Sequence, residues 1–336
     1  MTRTAPTNPG PHSPRSGTPV RRPGSVRRTT THDSLRPAGI MGDIRLVATG
    51  RDLRTGPNGE ATVLDAARLD LRVAYRQGRR IVAIESEPVQ PGLEALVGGG
   101  TAVGYRAALD AALPGERGRG GVLYQLLDDV PNALLVNGYA MALALSPGEL
   151  LAVRRGSASN RPPLRDLCAG WVTGGTLMRG VEADGLPPPA HGPFAPTLMA
   201  PDDDLAWHPT GELPPTSMRR SRRIDVWPED GTVAVDAFFR DSHVDDNGAE
   251  SIVHEYTVRA VLDRATLCFT SIRADVGVLP FGECPNALGS AERLTGLPVA
   301  DLRSTVSRDF TGPTTCTHLN DTLRALEDLP ALVAAL

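Results

Sequence analysis

The chain has 336 residues, 40% of them hydrophobic, and a formal net charge of -4, so it can build an ample core and has no electrostatic pull toward nucleic acid. Every basic residue is arginine. The lack of lysine excludes lysine Schiff-base chemistry, a pyridoxal-phosphate anchor and the lysine-bearing phosphate loop.

Residues 1–20 are rich in Pro, Thr, Ser and Arg without a hydrophobic signal core, which predicts a disordered tail. No apolar run approaches the ~20 residues needed to span a bilayer, so a cytoplasmic chain without membrane partners is expected. The four cysteines at 168, 268, 284 and 316 do not resemble a disulfide framework in a chain this long.

Residues 21–145 read as a first α+β half. Ser25 to Thr29 opens it, and β-rich runs follow at Ile44 to Ala48, Ala67 to Tyr75 and Arg80 to Ile84, separated by Gly-bearing turns. Helical sequence then covers Leu93 to Val97, Ala102 to Leu113 and Val122 to Asp128. Residues 146–216 form a connecting segment, with a Pro/Gly/Asp-rich linker or surface loop from about Leu186 to Pro215. Within it, Cys168 and Trp171 stand among glycines, as at a tight buried turn or a close approach to a ligand.

Residues 217–336 repeat the order of the first half. Ser217-Met218-Arg219-Arg220-Ser221 echoes Ser25-Val26-Arg27-Arg28-Thr29, and hairpin sequence runs from Thr232 to Ile272. Helical sequence follows from Pro285, Val299 and Leu319. The expected class is therefore α+β, with two similar antiparallel-sheet-plus-helix halves packed face to face. In register, Gly121 and Leu123 stand opposite Cys316 and His318, so only the second half carries the chemistry below.

That chemistry gathers near the C-terminus. Cys284 precedes Pro285, and Cys316-Thr317-His318 precedes a helix, each at a loop-to-helix junction where the helix end stabilises charge on sulfur. Metal ligands are one reading. Small buried thiols with a capping histidine are the other. The pairs Arg27-Arg28 and Arg219-Arg220 suit bidentate recognition of a small anion, or form ordinary solvated charge on edge strands. His243 and Asp275 lie at strand ends, positioned to serve as acid/base groups or to orient a ligand.

The order of hairpin, Gly282-Glu283-Cys284 loop and late Thr315-Cys316 resembles the IscU/NifU-type iron–sulfur scaffold fold. Residues 217 to 329 also resemble an uncharacterised bacterial domain-of-unknown-function family, in the Cys-Pro segment and in Cys316-Thr317-His318-Leu319. The scaffold resemblance implies a ligand early in the strand before the hairpin, where this chain has His254. Alternation supports it, because Ile252, His254, Tyr256, Val258, Ala260 and Leu262 share one face. The expected ligand set is His254, Cys284, Cys316 and His318 around one zinc or iron ion. The expected function is a metal-dependent enzyme acting on a small anionic organic substrate such as an acyl-thioester or aromatic acid. An iron–sulfur or sulfur-carrier protein and a module with structural zinc are the alternatives.

Overall fold

Alternating β-branched runs punctuated by turn residues favour antiparallel hairpins, and the computed structural model, which describes residues 10–156 and 164–336, contains eight such strands. They are β1 (Ser25–Leu35), β2 (Ile44–Thr55), β3 (Ala61–Ala74), β4 (Arg80–Glu87), β5 (Met218–Glu229), β6 (Thr232–Val244), β7 (Glu250–Asp263) and β8 (Phe269–Val278). All eight form one antiparallel sheet in the order β4-β3-β2-β1-β5-β6-β7-β8.

Each half is thus a four-stranded meander, and the two meanders meet edge to edge through β1 and β5. This corrects the expected face-to-face packing. The reason is the composition of β1, rich in Arg and Thr, and of β5, rich in Arg, both buried along most of their length. Pairing with each other satisfies their backbone groups, whereas stacked sheets would need apolar inner faces.

The helices α1 (Tyr105–Ala112), α2 (Glu116–Arg119), α3 (Val122–Leu135), α4 (Asn137–Ala144), α5 (Pro147–Gly156), α6 (Thr176–Asp184), α7 (Leu302–Asp309), α8 (Thr317–Ala325) and α9 (Leu329–Ala334) complete the described residues, with 3-10 helices at Leu93–Leu96, Ala169–Trp171, Cys284–Leu294 and Leu326–Asp328. None is long and apolar enough to cross a membrane. Leu46, Leu69, Leu71, Leu109 and Leu126 centre the apolar cluster of the first half, and Val235, Val258, Leu294, Leu319 and Leu323 that of the second.

Between these clusters the sheet is polar. Arg28, held by Asp52 and Asp328, begins a buried ion network, and Arg303 links Asp328 to Asp128. Arg106 and Arg324 also meet Asp128. Arg222 bridges Asp129 and Asp321, and Arg220 bridges Asp321 and Asp241. Burial alone would raise Asp128 and Asp241, but the arginines outweigh it and hold both carboxyls well below the usual range.

The opposite face of the central strands is covered by segments expected to be tail and linker. Ser13 donates its N–H to the Gly277 carbonyl, and Arg15 donates its N–H to Glu255. This part of the expected tail is thus paired with strand groups, while residues 1–9 lie outside the described residues. His208, expected in a linker, is buried with Nδ1 on Thr29 Oγ1 at 2.8 Å and Nε2 on Thr31 Oγ1 at 2.9 Å. The hydroxyls of β1 recruit it, because a buried imidazole needs partners for both nitrogens.

Burial holds His32 down to about 4, His208 to about 3 and His243 to about 4, so all three are neutral in the folded chain. Their folded values lie below the unfolded one. Stability from them is complete above about pH 6.5 and falls as the pH drops toward 4, by about 3 kcal/mol for His32 alone. Urea unfolding at pH 7.0, 6.0 and 5.0 checks this, and a midpoint flat over that range contradicts it.

Candidate metal centre

Alternation on β6 points Val235, Ala237, Phe239 and Asp241 toward the helices, so an acid ends an apolar stripe. Arg220, directly opposite on β5, grips this acid with Nε on Oδ1 at 2.9 Å and Nη2 on Oδ2 at 3.0 Å. On the other side Asp241 pairs with His254 of β7. A bulge lies beside this pair, because Ser242 opposes Ile252 and Val253 is passed over. The strict alternation expected from Ile252 to Leu262 therefore breaks at Val253, which joins a separate small cluster with Val136, Ala140 and Met218.

His318 completes the site from the first turn of α8. Its ring stacks on that of His254, with centroids 3.6 Å apart and planes 22° from parallel. Tyr139 of α4 meets the His254 ring edge-on at 5.4 Å, and Phe239 flanks His318. His254 Nδ1 lies 3.6 Å from Asp241 Oδ2, and His318 Nε2 lies 4.0 Å from the same oxygen. Both ring nitrogens are buried without a hydrogen-bond partner. Burial lowers both imidazoles and outweighs the opposing pull of Asp241, and in His318 the neighbouring His254 lowers it further.

Two orphaned nitrogens and a carboxylate oxygen, all within 4.8 Å of one another, form a donor set for a cation. Donors around a tetrahedral zinc at 2.0–2.1 Å lie about 3.4 Å apart, so an ion would bring Asp241 Oδ2 about 0.2–0.6 Å closer to each nitrogen and would require the two stacked rings to turn apart until their in-plane lone pairs converge. Three protein donors leave coordination positions open, the arrangement of catalytic rather than structural sites.

Of the expected ligands, His254 and His318 come together and the cysteines lie to one side. Cys316 Sγ is 3.9 Å from His318 Nδ1, on the ring edge facing away from Asp241, and accepts the Tyr256 hydroxyl at 3.2 Å. That position suits it to orient the ring. Cys284 is buried behind it, close enough to Gly170 that a Cβ there would lie 3.1 Å from its sulfur. Burial raises all three of these thiols, Cys168 to about 11. Trp171 ends the short helix that Cys168 opens and packs on the second-half core.

The remaining candidates stand elsewhere. Asp275 pairs with Arg259 at 2.6 Å on β8, and His243 lies two residues beyond Asp241 on β6. Arg27 holds Asp225, Arg28 holds Asp52 and Asp328, Arg219 holds Asp33, and Arg220 holds Asp241 and Asp321. Each fork already has its carboxylate, so these arginines are structural in their geometry rather than free for a substrate. Asp241 was not singled out in the sequence, although it interrupts an apolar alternation just as His254 does.

Cys316→Ser is expected to keep the donor set and weaken metal affinity by about 10- to 100-fold, the usual cost of losing a group that orients a ligand. Competition with a chromophoric chelator measures this. Complete loss of metal from the serine variant would make the sulfur a ligand.

Neither the curated proteins nor the solved structures give a match to the chain. Residues 218–331 match a family described as "Protein of unknown function (DUF2889)", which supports placing the segment that carries Asp241, His254, Cys284, Cys316 and His318 in an uncharacterised domain family.

Proposed function

We propose that the chain is a metal-dependent enzyme whose single transition-metal ion, zinc or non-haem iron, is held by Asp241, His254 and His318. The observation that carries this is the pair of buried imidazole nitrogens, neither within hydrogen-bond distance of a partner, that lie 3.6 and 4.0 Å from one carboxylate oxygen. The neutral imidazoles add no charge, and Arg220 offsets Asp241, so a divalent ion keeps its positive charge inside the site. Such a centre favours a small anionic organic substrate, and the bound ion would supply Lewis-acid or oxygen chemistry.

The two halves are, on this proposal, copies of one unit. The bulge beside Asp52 and Asp65 corresponds to the bulge beside Asp241 and His254, and the irregularities at Arg72/Val73 and Val261/Leu262 correspond as well. Arg28 grips Asp52 as Arg220 grips Asp241. Where the second half has His254, the first has Asp65, whose carboxylate accepts the Val122 N–H at the start of α3. The first copy thus uses that position to cap a helix.

A second reading has one observation behind it. Cys316 Sγ, His318 Nδ1, His318 Nε2 and Asp241 Oδ2 follow one another at 3.9 and 4.0 Å, the sequence of contacts in a thiol nucleophile–base–acid relay. The test is metal analysis with an absorption spectrum on anaerobically purified protein. One zinc or one iron per chain supports the enzyme reading. Acid-labile sulfide would favour an iron–sulfur role, and metal-free protein that loses activity on alkylation would favour the thiol.

A further inference from the structure

His243 has no place in the metal centre. It is 3% exposed, and its Nε2 has no hydrogen-bond partner. Two residues beyond Asp241 on the same strand, it stands about 7 Å along β6 from the centre. There it lines a cavity of about 260 Å³, together with the end of α4 and the turn that joins β6 to β7. A buried imidazole without partners is costly unless something polar completes it.

The lining favours a positive charge. Asp245 and Asp246 supply its charged groups, and among the described residues no arginine lines it. Asp245 accepts the Asn247 and Ala249 N–H groups on Oδ1 alone, which leaves Oδ2 for a ligand. Leu143 and Ala144 end α4, so the partly negative carbonyl end of that helix lies at the cavity, and its last turn holds no basic residue. Arg36, whose charge reaches His243, is outside the lining and donates to the Ile40 carbonyl and Asn137 Oδ1. The rest of the wall suits an apolar body. Phe194 is 77% exposed although its segment is fixed to β7. Ile252 donates its N–H to the Pro193 carbonyl at 2.9 Å, and Ala195 donates its N–H to the Glu250 carbonyl at 2.8 Å. An aromatic ring held in the open on a cavity with two carboxylates can cover an organic cation. A bare metal ion is a poorer occupant, because among the described residues only Asp241, His254 and His318 stand close enough together to hold one.

We propose that this cavity binds a primary amine with a small apolar body, its ammonium group held by Asp245 and Asp246 beside the unpartnered imidazole of His243. Leu143, Ala144 and Phe194 receive the apolar body. Amino acids are rejected, because their carboxylate would meet the same two aspartates. The site is separate from the metal centre, and the binding does not need the ion.

The test is calorimetric titration of benzylamine into the full-length protein. Saturable binding at one site is expected, with benzoate and phenylglycine weaker by about 10-fold or more. Asp245→Asn, which removes the charge and keeps an acceptor for the turn, and Asp246→Asn should each weaken benzylamine about 10-fold, and His243→Asn less. Phe194→Ala should weaken it about 2- to 5-fold. Asp246 and Phe194 are exposed, so neither variant endangers the fold. The titration is repeated after chelation, because an amine can also ligate a metal. Binding that persists there and depends on the two aspartates supports the amine site even if no metal is ever found. Binding that vanishes on chelation, no benzylamine binding to the wild type, benzoate binding as tightly as benzylamine, or affinity unchanged in both aspartate variants overturns the proposal.

Discussion

His318→Ala is expected to abolish stoichiometric metal binding and leave a folded, cooperatively melting protein. In the proposed centre the imidazole is one of the three donors found among the described residues, so affinity should fall by more than the roughly 100-fold that outer groups command. The fold does not hang on it. His318 sits in the first turn of α8, and the apolar contacts of that helix run through Leu319 and Leu323, which are fully buried in the second-half core. A chain of this size buries enough apolar surface to fold without an ion. Thermal melting and elemental analysis on the same samples measure both consequences. Global unfolding on metal loss would instead mark the ion as structural.

Arg220→Met should be among the most destabilising single changes in the chain, costing about 3–5 kcal/mol, because it leaves buried carboxylates without their cation. Arg220 is 1% exposed and its fork bridges Asp241 and Asp321. Its loss would also free Asp241 from the orientation that turns Oδ2 toward both imidazoles, so metal affinity should fall together with stability. Adding Asp241→Asn should restore part of the stability and none of the metal binding. Urea unfolding of the single and double variants, alongside metal content, separates these effects. A loss below about 1 kcal/mol would mean the ion pairs here are worth no more than surface ones.

Turn residues and alternation were enough to read the strands, because hairpin chemistry is local. Gly78 and Gly231, with φ of 75° and 69°, mark turns that any such reading finds. The union of β1 with β5 was not legible in this way. It depends on Arg27, Arg28, Arg219 and Arg220 finding aspartates as far away as Asp328, and buried arginine looks the same in sequence as solvated arginine. The same ambiguity hid His208, which reads as linker until Thr29 and Thr31 are seen on either side of it. At the site, His254 and His318 were legible as a histidine in an apolar stripe and a histidine at a helix start. Asp241 was hidden by Arg240 and His243 beside it, which made that stretch of β6 read as a polar strand end. The cysteines were conspicuous in sequence, but only the direction of the His318 ring reveals that Cys316 lies behind it.

X-ray absorption at the metal edge of the loaded protein tests the centre most directly. A first shell of nitrogen and oxygen alone at about 2.0–2.2 Å, lost in His254→Ala and His318→Ala, is the predicted result. A sulfur shell at about 2.3 Å would contradict it and return Cys284 and Cys316 to the ion.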